Sequence, residues 1–388
     1  MADCLKVSLD VSAVPPHPAG AGRYIVQLAL LLSQRDDVDL LVLTRKNDRE
    51  RWEALLGGQA RVAVALPSSR PLRLLAERFQ LGRTIDRCGV DVHHGPHYTM
   101  PGRMRTPAVV TIPDTTFFDF PQFHQSTKVA FFTRTIARSA KRAARLIALS
   151  EMTARQVVDR VEVRVPVDVV HLGVDLERFQ PEEPNPHVDE QALANVGLPP
   201  NAKYLLFVST LEPRKGILEL LTAFDQLAEE DQDLRLVLVG QVGWGEDVAP
   251  VVQSLRHADR VLQTGYVDDE ILPALMRCAA VLAYPSVAEG FGLPAIEALA
   301  SGTPLVTTSG SVMDELVMGS AWLTPPQDAP SLQATLAAAL SEEPAARLAR
   351  IAKGINVARG YTWQACVEGH VASYRAAANR LGTTEHHQ

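Results

Sequence analysis

The sequence predicts an α/β protein made of two Rossmann-like domains, each built on a parallel sheet. The chain has 388 residues, a length that suits two domains of common size. Short apolar runs typical of buried strands alternate with helical patterns along most of the chain. The alternation pauses at a stretch over residues 174–200 that is rich in acidic residues and proline. This pause marks the domain boundary.

The first domain is predicted over residues 1–180. It opens with a strand at residues 6–11, where apolar and polar residues alternate. A turn-rich loop at residues 15–22 and a buried helix at residues 23–33 follow. Further strands are predicted at residues 40–43, 90–93, 108–112 and 145–149, with helical patterns between them. This alternation of strands and helices indicates a doubly wound parallel sheet.

The second domain is predicted over residues 198–362 and repeats the pattern. Its candidate strands are residues 204–208, 234–239, 261–264, 281–284 and 304–307. Two consecutive Rossmann-like domains are expected to face each other across a central cleft. The carboxyl ends of strands and the amino ends of helices would meet a ligand there.

Composition narrows the class of protein and its compartment. Hydrophobic residues make up 46% of the chain and charged residues 21%, which is typical of a folded globular protein. The start of the sequence lacks the basic-then-apolar order of a signal peptide. The four cysteines are too widely spaced for a zinc ribbon or a disulfide framework. We therefore expect a cytoplasmic protein.

The net charge of −7 is unevenly divided along the chain. Residues 1–175 carry 24 Lys and Arg against 18 Asp and Glu, whereas the remainder is acidic. One stretch without any acid could present a basic helical face to an anionic membrane, at the inner membrane surface, or to a phosphorylated acceptor. A solvated face is the simpler alternative. The basic residues of this stretch are Lys128, Arg134, Arg138, Lys141, Arg142 and Arg145.

The strongest chemical signal lies at residues 289–302, after a predicted strand and at the start of a helix. Gly290 and Gly292 let the backbone approach a ligand, and the first N–H groups of the helix can bind an anion. Glu289 stands before the helix and Glu297 within it. Two carboxylates so placed can accept hydrogen bonds from the hydroxyls of a sugar or ribose. The simpler alternative is a capped helix with two solvated glutamates.

A second signal follows the first strand of the second domain. Arg214 and Lys215 stand side by side at the start of a helix. The guanidinium of Arg214 can hold two phosphate oxygens, and Lys215 adds a compact charge. Together with the glycine-rich loop, this pair predicts a diphosphate site that needs no metal ion. The two D-x-D sequences, at residues 37–39 and 231–233, are expected away from the cleft.

These two motifs resemble those of the family 4 retaining glycosyltransferases of the GT-B fold. The resemblance covers most of the chain and is strongest over residues 205–316. Glu289 and Glu297 match the Glu-x7-Glu motif of that family, and Arg214 and Lys215 match its two cations. The resemblance implies that both cations hold the diphosphate of a nucleotide-sugar. It also implies that Glu289 contacts the transferred sugar and that Glu297 contacts the ribose.

The resemblance implies further contacts and a terminal helix. A helix at about residues 363–382 would cross back onto the first domain, which would bind the acceptor. Gly22 belongs to a glycine loop that would line the cleft near donor and acceptor. Its G-x-G lacks the third glycine of a dinucleotide fingerprint, which disfavours a dehydrogenase. The remaining donor contacts would come from Gly290, Phe291, Gly292, Leu293, Gly240, Tyr266 and Val267.

One position departs from the family. Many members carry His-Asp after the strand that corresponds to residues 108–112, and that histidine contacts the sugar. This chain has Pro113 and Asp114 there, and proline offers neither a side-chain hydrogen bond nor an N–H. Either the sugar is held differently or catalysis is impaired. Asp114 stays a candidate polar contact, and a histidine of the nearby cluster is a candidate replacement. That cluster is His93, His94 and His97.

The resulting hypothesis is a retaining, metal-independent hexosyltransferase without a cofactor. It would move a sugar from a nucleoside-diphosphate sugar to a hydroxyl of a glycan, lipid-linked glycan or small-molecule acceptor. GDP-mannose is the favoured donor and a UDP-sugar the second choice. The resemblance implies that the departing diphosphate accepts the acceptor's proton. The alternatives are a catalytically weak nucleotide-sugar-binding protein, or another GT-B enzyme such as an epimerase or a phosphorylase. No nucleic-acid partner is expected.

Overall fold

The computed structural model describes residues 4–379 except 17, 19, 70, 71, 73, 74, 184 and 244–247. It divides into two compact units. The first contains the described residues up to Leu172 together with those from Trp363 onward, and the second spans Gly173–Thr362.

The first unit is built on a parallel sheet of seven strands, in the order β3-β2-β1-β4-β5-β6-β7. The order of the strands reverses between β1 and β4, the point at which open α/β sheets bind ligands outside the carboxyl ends of their strands. The strands are β1 (Leu5–Asp10), β2 (Val38–Arg45), β3 (Arg61–Leu66), β4 (Val92–Gly95), β5 (Ala108–Ile112), β6 (Arg145–Ala148) and β7 (Val167–Val169).

Helices connect these strands and pack their apolar faces on the sheet. In α5, for example, Ile136, Ser139 and Ala140 are buried while the opposite face is polar. A π-helical stretch at Glu77–Leu81 leads into α3. The helices are α1 (Ala21–Ser33), α2 (Arg49–Leu56), α3 (Gly82–Arg87), α4 (Thr116–Asp119), α5 (Ser126–Arg142) and α6 (Glu151–Arg160).

The second unit has a parallel sheet of six strands, in the order β10-β9-β8-β11-β12-β13. Its order reverses between β8 and β11. Four of the six strands, β8, β9, β11 and β12, carry predominantly buried side chains, as expected of strands covered on both faces. The strands are β8 (Lys203–Val208), β9 (Leu234–Val239), β10 (Val261–Gly265), β11 (Val281–Tyr284), β12 (Leu305–Thr308) and β13 (Trp322–Thr324).

The helices of the second unit complete its two outer layers. Phe224 of α8 and Leu336 of α13 are fully buried in one core cluster with Leu236 and Leu238 of β9. The helices are α7 (Pro186–Asn195), α8 (Ile217–Glu230), α9 (Val248–Ser254), α10 (Leu272–Arg277), α11 (Leu293–Ala300), α12 (Val312–Val317), α13 (Ala329–Leu340) and α14 (Pro344–Ala358). The predicted fold class, two Rossmann-like units with parallel sheets, is confirmed.

The boundary between the units lies earlier than residue 180, where the sequence placed the end of the first domain. The N–H of Val174 donates to the carbonyl of Tyr361 at 3.0 Å, which ties this segment to the second unit. The proline-rich linker also contains a helix, α7. Its Asp189 pairs with Arg277 of α10 at 2.6 Å. Arg277 also donates to the carbonyl of Gln180 at 3.1 Å, so residues 173–180 are held within the second unit.

The last described helix, α15 (Trp363–Ala378), returns to the first unit and packs on β4, β5, β6 and α1. The expected helix was longer, but residues 380–382 lie outside the described residues. Ser373 of α15 donates to Asp168 at 2.7 Å, and Arg375 pairs with Asp37 at 2.6 Å. No helix in the described part of the chain combines the length and the apolar character needed to cross a membrane.

Buried polar groups fix α15 on the sheet. Tyr24 of α1 lies 2.7 Å from Nε2 of His370 and 3.1 Å from Oγ1 of Thr111. Thr111 in turn lies 2.8 Å from Nε2 of His94, whose Nδ1 lies 2.8 Å from the hydroxyl of Tyr374. These side chains are fully buried. Unpaired polar groups are costly in such a place, so the network specifies one position for α15.

The hydrogen-bond directions in this network follow from its ends. Nδ1 of His370 faces the carbonyl of Cys366 at 2.8 Å, so it carries the proton and Nε2 accepts from Tyr24. Tyr24 then accepts from Thr111, and Thr111 accepts from His94. Every group is satisfied only if both histidines are neutral. Burial lowers the pKa of His370 to about 4 and that of His94 well below its usual value, in agreement with this assignment.

We expect Tyr374→Phe to destabilise the first unit, because it leaves Nδ1 of the buried His94 without its 2.8 Å partner. The cost should be about 1–3 kcal/mol in the free energy of unfolding, measured by urea denaturation. The control Tyr266→Phe changes a side chain that is 44% exposed and should cost much less. Equal costs for the two variants would contradict a stabilising role for the network.

Candidate functional site

The point of strand reversal in the second unit brings the two sequence motifs together. β8 lies between β9 and β11 and runs parallel to both. The loop after β8 carries Arg214 and Lys215, and the loop after β11 carries Glu289. Because parallel strands end at the same edge of a sheet, these loops emerge side by side.

A glycine at position 216 lets the two loops meet. Pro213–Lys215 forms a 3-10 turn that ends at Gly216 in the left-handed conformation, with φ of 68°. A Cβ atom on Gly216 would lie 2.2 Å from the carbonyl oxygen of Pro285, directly after β11. Only glycine fits this approach. The N–H of Val287 also donates to the carbonyl of Arg214 at 2.9 Å, which fixes the loops together.

Lys215 and Glu289 form a buried ion pair at this point. Nζ of Lys215 lies 2.5 Å from Oε1 of Glu289, and the two side chains are 7% and 11% exposed. Arg214 lies beside them, with Nη1 3.7 Å from Oε2 of Glu289 and 3.0 Å from the carbonyl of Ala288. With Glu212 3.2 Å from Nε of Arg214, the site holds two cations and two carboxylates within a few ångströms, largely out of water.

The charges of this cluster set the protonation of Glu289. Burial alone would raise the pKa of its carboxyl group, but the charges of Lys215 and Arg214 outweigh burial and hold the pKa at about 2. Burial and the neighbouring charge of Arg214 lower the pKa of Lys215 from its usual value. Glu289 is thus an ionised hydrogen-bond acceptor and a poor proton acceptor.

The structure adds two residues that the sequence analysis missed. Tyr284, the last residue of β11, donates its hydroxyl to Oε1 of Glu289 at 2.8 Å. Glu212 accepts from Nε of Arg214 at 3.2 Å, which orients the guanidinium. Tyr284 had a weak signal in the sequence, since a tyrosine ending a buried strand needs a partner for its hydroxyl. For Glu212 the sequence contains no signal except its position two residues before Arg214.

The glycine-rich loop leads into α11 as predicted. Gly292 precedes α11 with φ of 102°, and a Cβ atom there would lie 2.3 Å from Cε of Met313. Phe291 is buried against the ring of Tyr361, and Leu293 is buried as the first residue of the helix. Gly290 precedes them at half-buried depth. Glu297, within α11, is 3% exposed.

The remaining donor-site candidates of the second unit lie at the same edge of the sheet. Gly240 follows β9 with φ of 143°, and a Cβ atom there would lie 1.9 Å from the carbonyl oxygen of Ser209. The N–H of Gly240 donates to the carbonyl of Gly265 at the end of β10 at 2.8 Å. Tyr266 and Val267 come directly after and are exposed and half-buried, respectively. Loops after three neighbouring strands are thereby joined.

The candidates of the first unit lie at the carboxyl edge of their own sheet. Gly22 is buried near the start of α1, and a Cβ atom there would lie 3.0 Å from Cβ of Pro18. Asp114 follows β5, and its Oδ1 accepts from the N–H and hydroxyl of Thr116 at 3.0 and 2.7 Å. Asp114 thus closes a turn onto Thr116, the first residue of the short helix α4. Its proposed contact with a sugar stays a prediction.

His93 and His94 are two of the three candidates for replacing the missing histidine, and the structure places both inside a strand. Both lie in β4, buried in the first unit, where His93 bonds to Ser8 at 3.0 Å and His94 to Thr111. Because β4 is buried on both faces, both of these consecutive histidines lie in the core of the first unit. His97 lies after the strand, with its ring against Tyr98 at 4.6 Å.

The D-x-D sequences lie at the amino ends of strands, opposite the edge that carries the site. Asp37 pairs with Arg35 and Arg375 before β2, and Asp231 pairs with Lys203 at 2.6 Å before β9. Among the residues that the structure describes, no group of three or more His, Cys, Asp or Glu side chains is arranged to hold a metal ion.

The basic stretch forms α5 and the residues after it, and several of its cations have internal partners. Lys141 pairs with Glu162 at 2.8 Å, and Arg145 pairs with Asp168 at 2.6 Å. Arg138 donates to the carbonyl of Gly102. The basic face is therefore smaller than the sequence suggests, and contact with an anionic membrane stays a prediction.

We expect the stability of the wild type relative to Glu289→Gln to depend on pH. The pKa of Glu289 is about 2 in the folded protein, against a usual value of 4.5. Its ionised form therefore stabilises the fold fully above pH 4.5, and this contribution declines as the pH falls towards 2. The difference in unfolding free energy should shrink by on the order of 1–2 kcal/mol from about pH 5 to about pH 3.

The control for this measurement is Glu53→Gln, which removes a carboxylate that is 45% exposed and paired with Arg49. Urea denaturation of the three proteins gives the comparison. A pH-independent difference for the Glu289 variant would mean that its carboxylate does not gain from the two cations.

Two relatives share part of their sequence with this chain. The O-antigen chain mannosyltransferase B of Escherichia coli is 28% identical over 289 residues, which cover 73% of this chain and 74% of that protein. The D-inositol 3-phosphate glycosyltransferase of Segniliparus rotundus is 33% identical over 222 residues, 54% of this chain. That match spans 47% of the relative, less than two thirds of its length.

Solved structures of glycosyltransferases share the fold. Sucrose-phosphate synthase from Thermosynechococcus elongatus superposes with a TM-score of 0.76 at 21% identity, covering 96% of this chain and 98% of that one. Anabaena HepE in complex with UDP and glucose superposes with a TM-score of 0.72 at 19% identity, covering 96% and 100%. The two units are thus those of the GT-B fold.

Family models match both units. The model of glycosyl transferases group 1 matches residues 188–355, and the model of glycosyltransferase family 4 matches residues 18–178. The two matches together leave only the ends of the chain and a short linker outside. The chain belongs to the family 4 glycosyltransferases.

Proposed function

We propose that this glycosyltransferase moves a hexosyl group from a nucleoside-diphosphate sugar to an acceptor hydroxyl with retention of configuration. The observation that carries the proposal is the buried cluster of Arg214, Lys215 and Glu289 at the point of strand reversal. A diphosphate is the ligand class that best suits two adjacent cations beside the amino end of a helix.

The geometry supports binding without a metal ion. Lys215 is 6% exposed, so an incoming phosphate would interact with it at low dielectric, where charge attraction is strong. Arg214 adds a planar guanidinium whose direction Glu212 sets. As the bond between sugar and diphosphate breaks, negative charge grows on the departing phosphate oxygen. The two cations would stabilise that charge.

The state of Glu289 supports a role other than nucleophile or general base. A carboxylate that receives hydrogen bonds from Lys215 and Tyr284, with a pKa of about 2, has little tendency to take up a proton. It is suited to accept hydrogen bonds from sugar hydroxyls. We therefore assign the acceptor's proton to the departing diphosphate, which becomes more basic as it leaves.

The donor and acceptor classes rest on the relatives. O-antigen chain mannosyltransferase B and the MMP α-(1→4)-mannosyltransferase of Mycolicibacterium hassiacum are named as mannosyltransferases. They favour GDP-mannose as donor and a glycan or lipid-linked glycan as acceptor. The HepE structures contain UDP, which keeps a UDP-sugar as the second donor class.

A catalytically weak nucleotide-sugar-binding protein is the second candidate, and Pro113 favours it. Proline cannot supply the side-chain hydrogen bond expected there. Its neighbour Asp114 already accepts two hydrogen bonds from Thr116. The two candidates agree on donor binding and differ in turnover.

Thermal unfolding in the presence of GDP, UDP, ADP, dTDP and their sugar conjugates tests donor binding. A ligand at about 100 times its dissociation constant adds roughly 2.7 kcal/mol to stability, which raises the melting temperature by a few degrees. A shift with one base identifies the donor class. Incubation of that donor with acceptor glycans, and NMR of the new linkage, then tests transfer and retention. Binding without transfer would favour the second candidate, and no shift with any nucleotide would overturn both.

We expect Lys215→Ala to lower the rate of transfer by about 100-fold or more, because the departing diphosphate loses a buried cation. The measurement is kcat with the identified donor. The control Lys203→Ala removes a lysine that is 44% exposed and pairs with Asp231 at the opposite edge of the sheet. Wild-type turnover in Lys215→Ala would contradict the assignment of the clamp.

A further inference from the structure

Tyr284 occupies an unusual place for a strand residue. It ends β11 at the point of strand reversal and is 2% exposed, yet its hydroxyl reaches the charged cluster. The backbone carbonyl of Tyr284 accepts from Oγ1 of Thr307 on the neighbouring strand at 2.9 Å. The phenol is therefore held from a rigid part of the sheet rather than from a loop.

Two donors converge on one oxygen of Glu289. Oε1 receives Nζ of Lys215 at 2.5 Å and the hydroxyl of Tyr284 at 2.8 Å. The other oxygen, Oε2, lies 3.7 Å from Nη1 of Arg214, beyond hydrogen-bond distance. The ring of Tyr284 also lies under the ammonium of Lys215, with Nζ 5.9 Å from its centroid. Tyr284 thus contacts both members of the ion pair.

The phenol opposes the attraction of the carboxylate to the second cation. Glu289 already pairs with Lys215 and lies 3.7 Å from Arg214, and a closer approach to Arg214 would occupy the second cation that a diphosphate needs. The hydrogen bond from Tyr284 to Oε1 would restrain the carboxylate against this movement. A direct contact of this kind is the usual means of fixing a charged side chain in a site.

We propose that Tyr284 is a positioning residue that keeps Glu289, already paired with Lys215, from closing onto Arg214, the second cation of the diphosphate clamp. The inference rests on the proposed function, since it assumes that the clamp takes a nucleoside diphosphate. Tyr284 itself need not touch the donor. Its effect on donor binding passes through the carboxylate of Glu289.

A double-mutant cycle on nucleotide affinity tests this dependence. The four proteins are the wild type, Tyr284→Phe, Glu289→Gln and the double variant. Isothermal titration calorimetry measures the Kd of GDP, UDP, ADP or dTDP, whichever shifts the melting temperature of the wild type. In the wild-type background Tyr284→Phe should weaken binding by about 3- to 10-fold, which corresponds to one hydrogen bond of typical strength. In the Glu289→Gln background it should change Kd by less than about 2-fold, because no charged carboxylate remains to rotate.

The single variant Glu289→Gln should bind the nucleoside diphosphate more tightly than the wild type, since Lys215 loses the carboxylate that pairs with it. Tyr284→Phe should also lower kcat while KM for the acceptor stays within about 2-fold, because Glu289 is displaced from the sugar and the acceptor contacts remain.

Tyr204→Phe is the matched control. Tyr204 is fully buried in the same unit, and its hydroxyl donates to the carbonyl of Leu275 at 2.7 Å. The control loses one buried hydrogen bond of a tyrosine, as Tyr284→Phe does, but nothing at the clamp. It should lower the melting temperature and leave Kd unchanged.

Three results would overturn the inference. One is an equal effect of Tyr284→Phe in both backgrounds, another is unchanged affinity in Tyr284→Phe, and the third is an equal loss of affinity in Tyr204→Phe. If the wild type binds none of the nucleotides, the proposed function fails, and the inference fails with it. If the wild type binds a nucleotide but the effects of the two substitutions are additive, the inference about Tyr284 fails and the proposed function stands.

Discussion

The site of this protein depends on a buried lysine that must be neutralised inside the second unit. Lys215 is 6% exposed, and an ammonium group cannot stay charged at such a place without an anion beside it. Glu289 supplies that anion at 2.5 Å. The pair joins the loop after β8 to the loop after β11. Arg214 therefore lies beside a carboxylate whose charge Lys215 already neutralises. A ligand that brings its own negative charge, such as the proposed diphosphate, would therefore replace Glu289 as the partner of Lys215 or share Lys215 with it.

Close backbone contacts make this arrangement possible. A side chain at Gly216 would collide with the loop after β11, and one at Gly240 would collide with the loop after β8. Both glycines also have positive φ values that other residues rarely adopt. The carboxyl-end loops of the second sheet are thus packed on one another, and the charged groups are held by backbone as well as by side chains. Preorganisation of this kind lets fixed charges stabilise a transition state without the cost of reorientation.

The first unit is organised by a neutral polar network instead of an ion pair. Tyr24, Thr111, His94, His370 and Tyr374 are joined by hydrogen bonds that can all be satisfied in only one direction. The network links α1, two strands and the terminal helix, so it determines where the chain returns after the second unit. Burial keeps the histidines uncharged, and this explains why they serve structure rather than chemistry.

The sequence by itself determined the two α/β units, most of their strands and the pair of motifs at the site. Strands such as 108–112 and 234–239 were predicted with their observed bounds because buried parallel strands are continuous apolar runs. β3, β7 and β13 were not predicted, since a half-exposed edge strand and two strands of three residues carry little apolar signal. Only the tertiary structure decided which groups meet: Tyr284 with Glu289, His94 with Tyr374, and Tyr24 with His370. Local patterns record which side of an element faces the core, whereas contacts between distant residues depend on strand order and on the position of each helix. The spacing of residues along one segment encodes neither the order of the strands in a sheet nor the position of a helix on it.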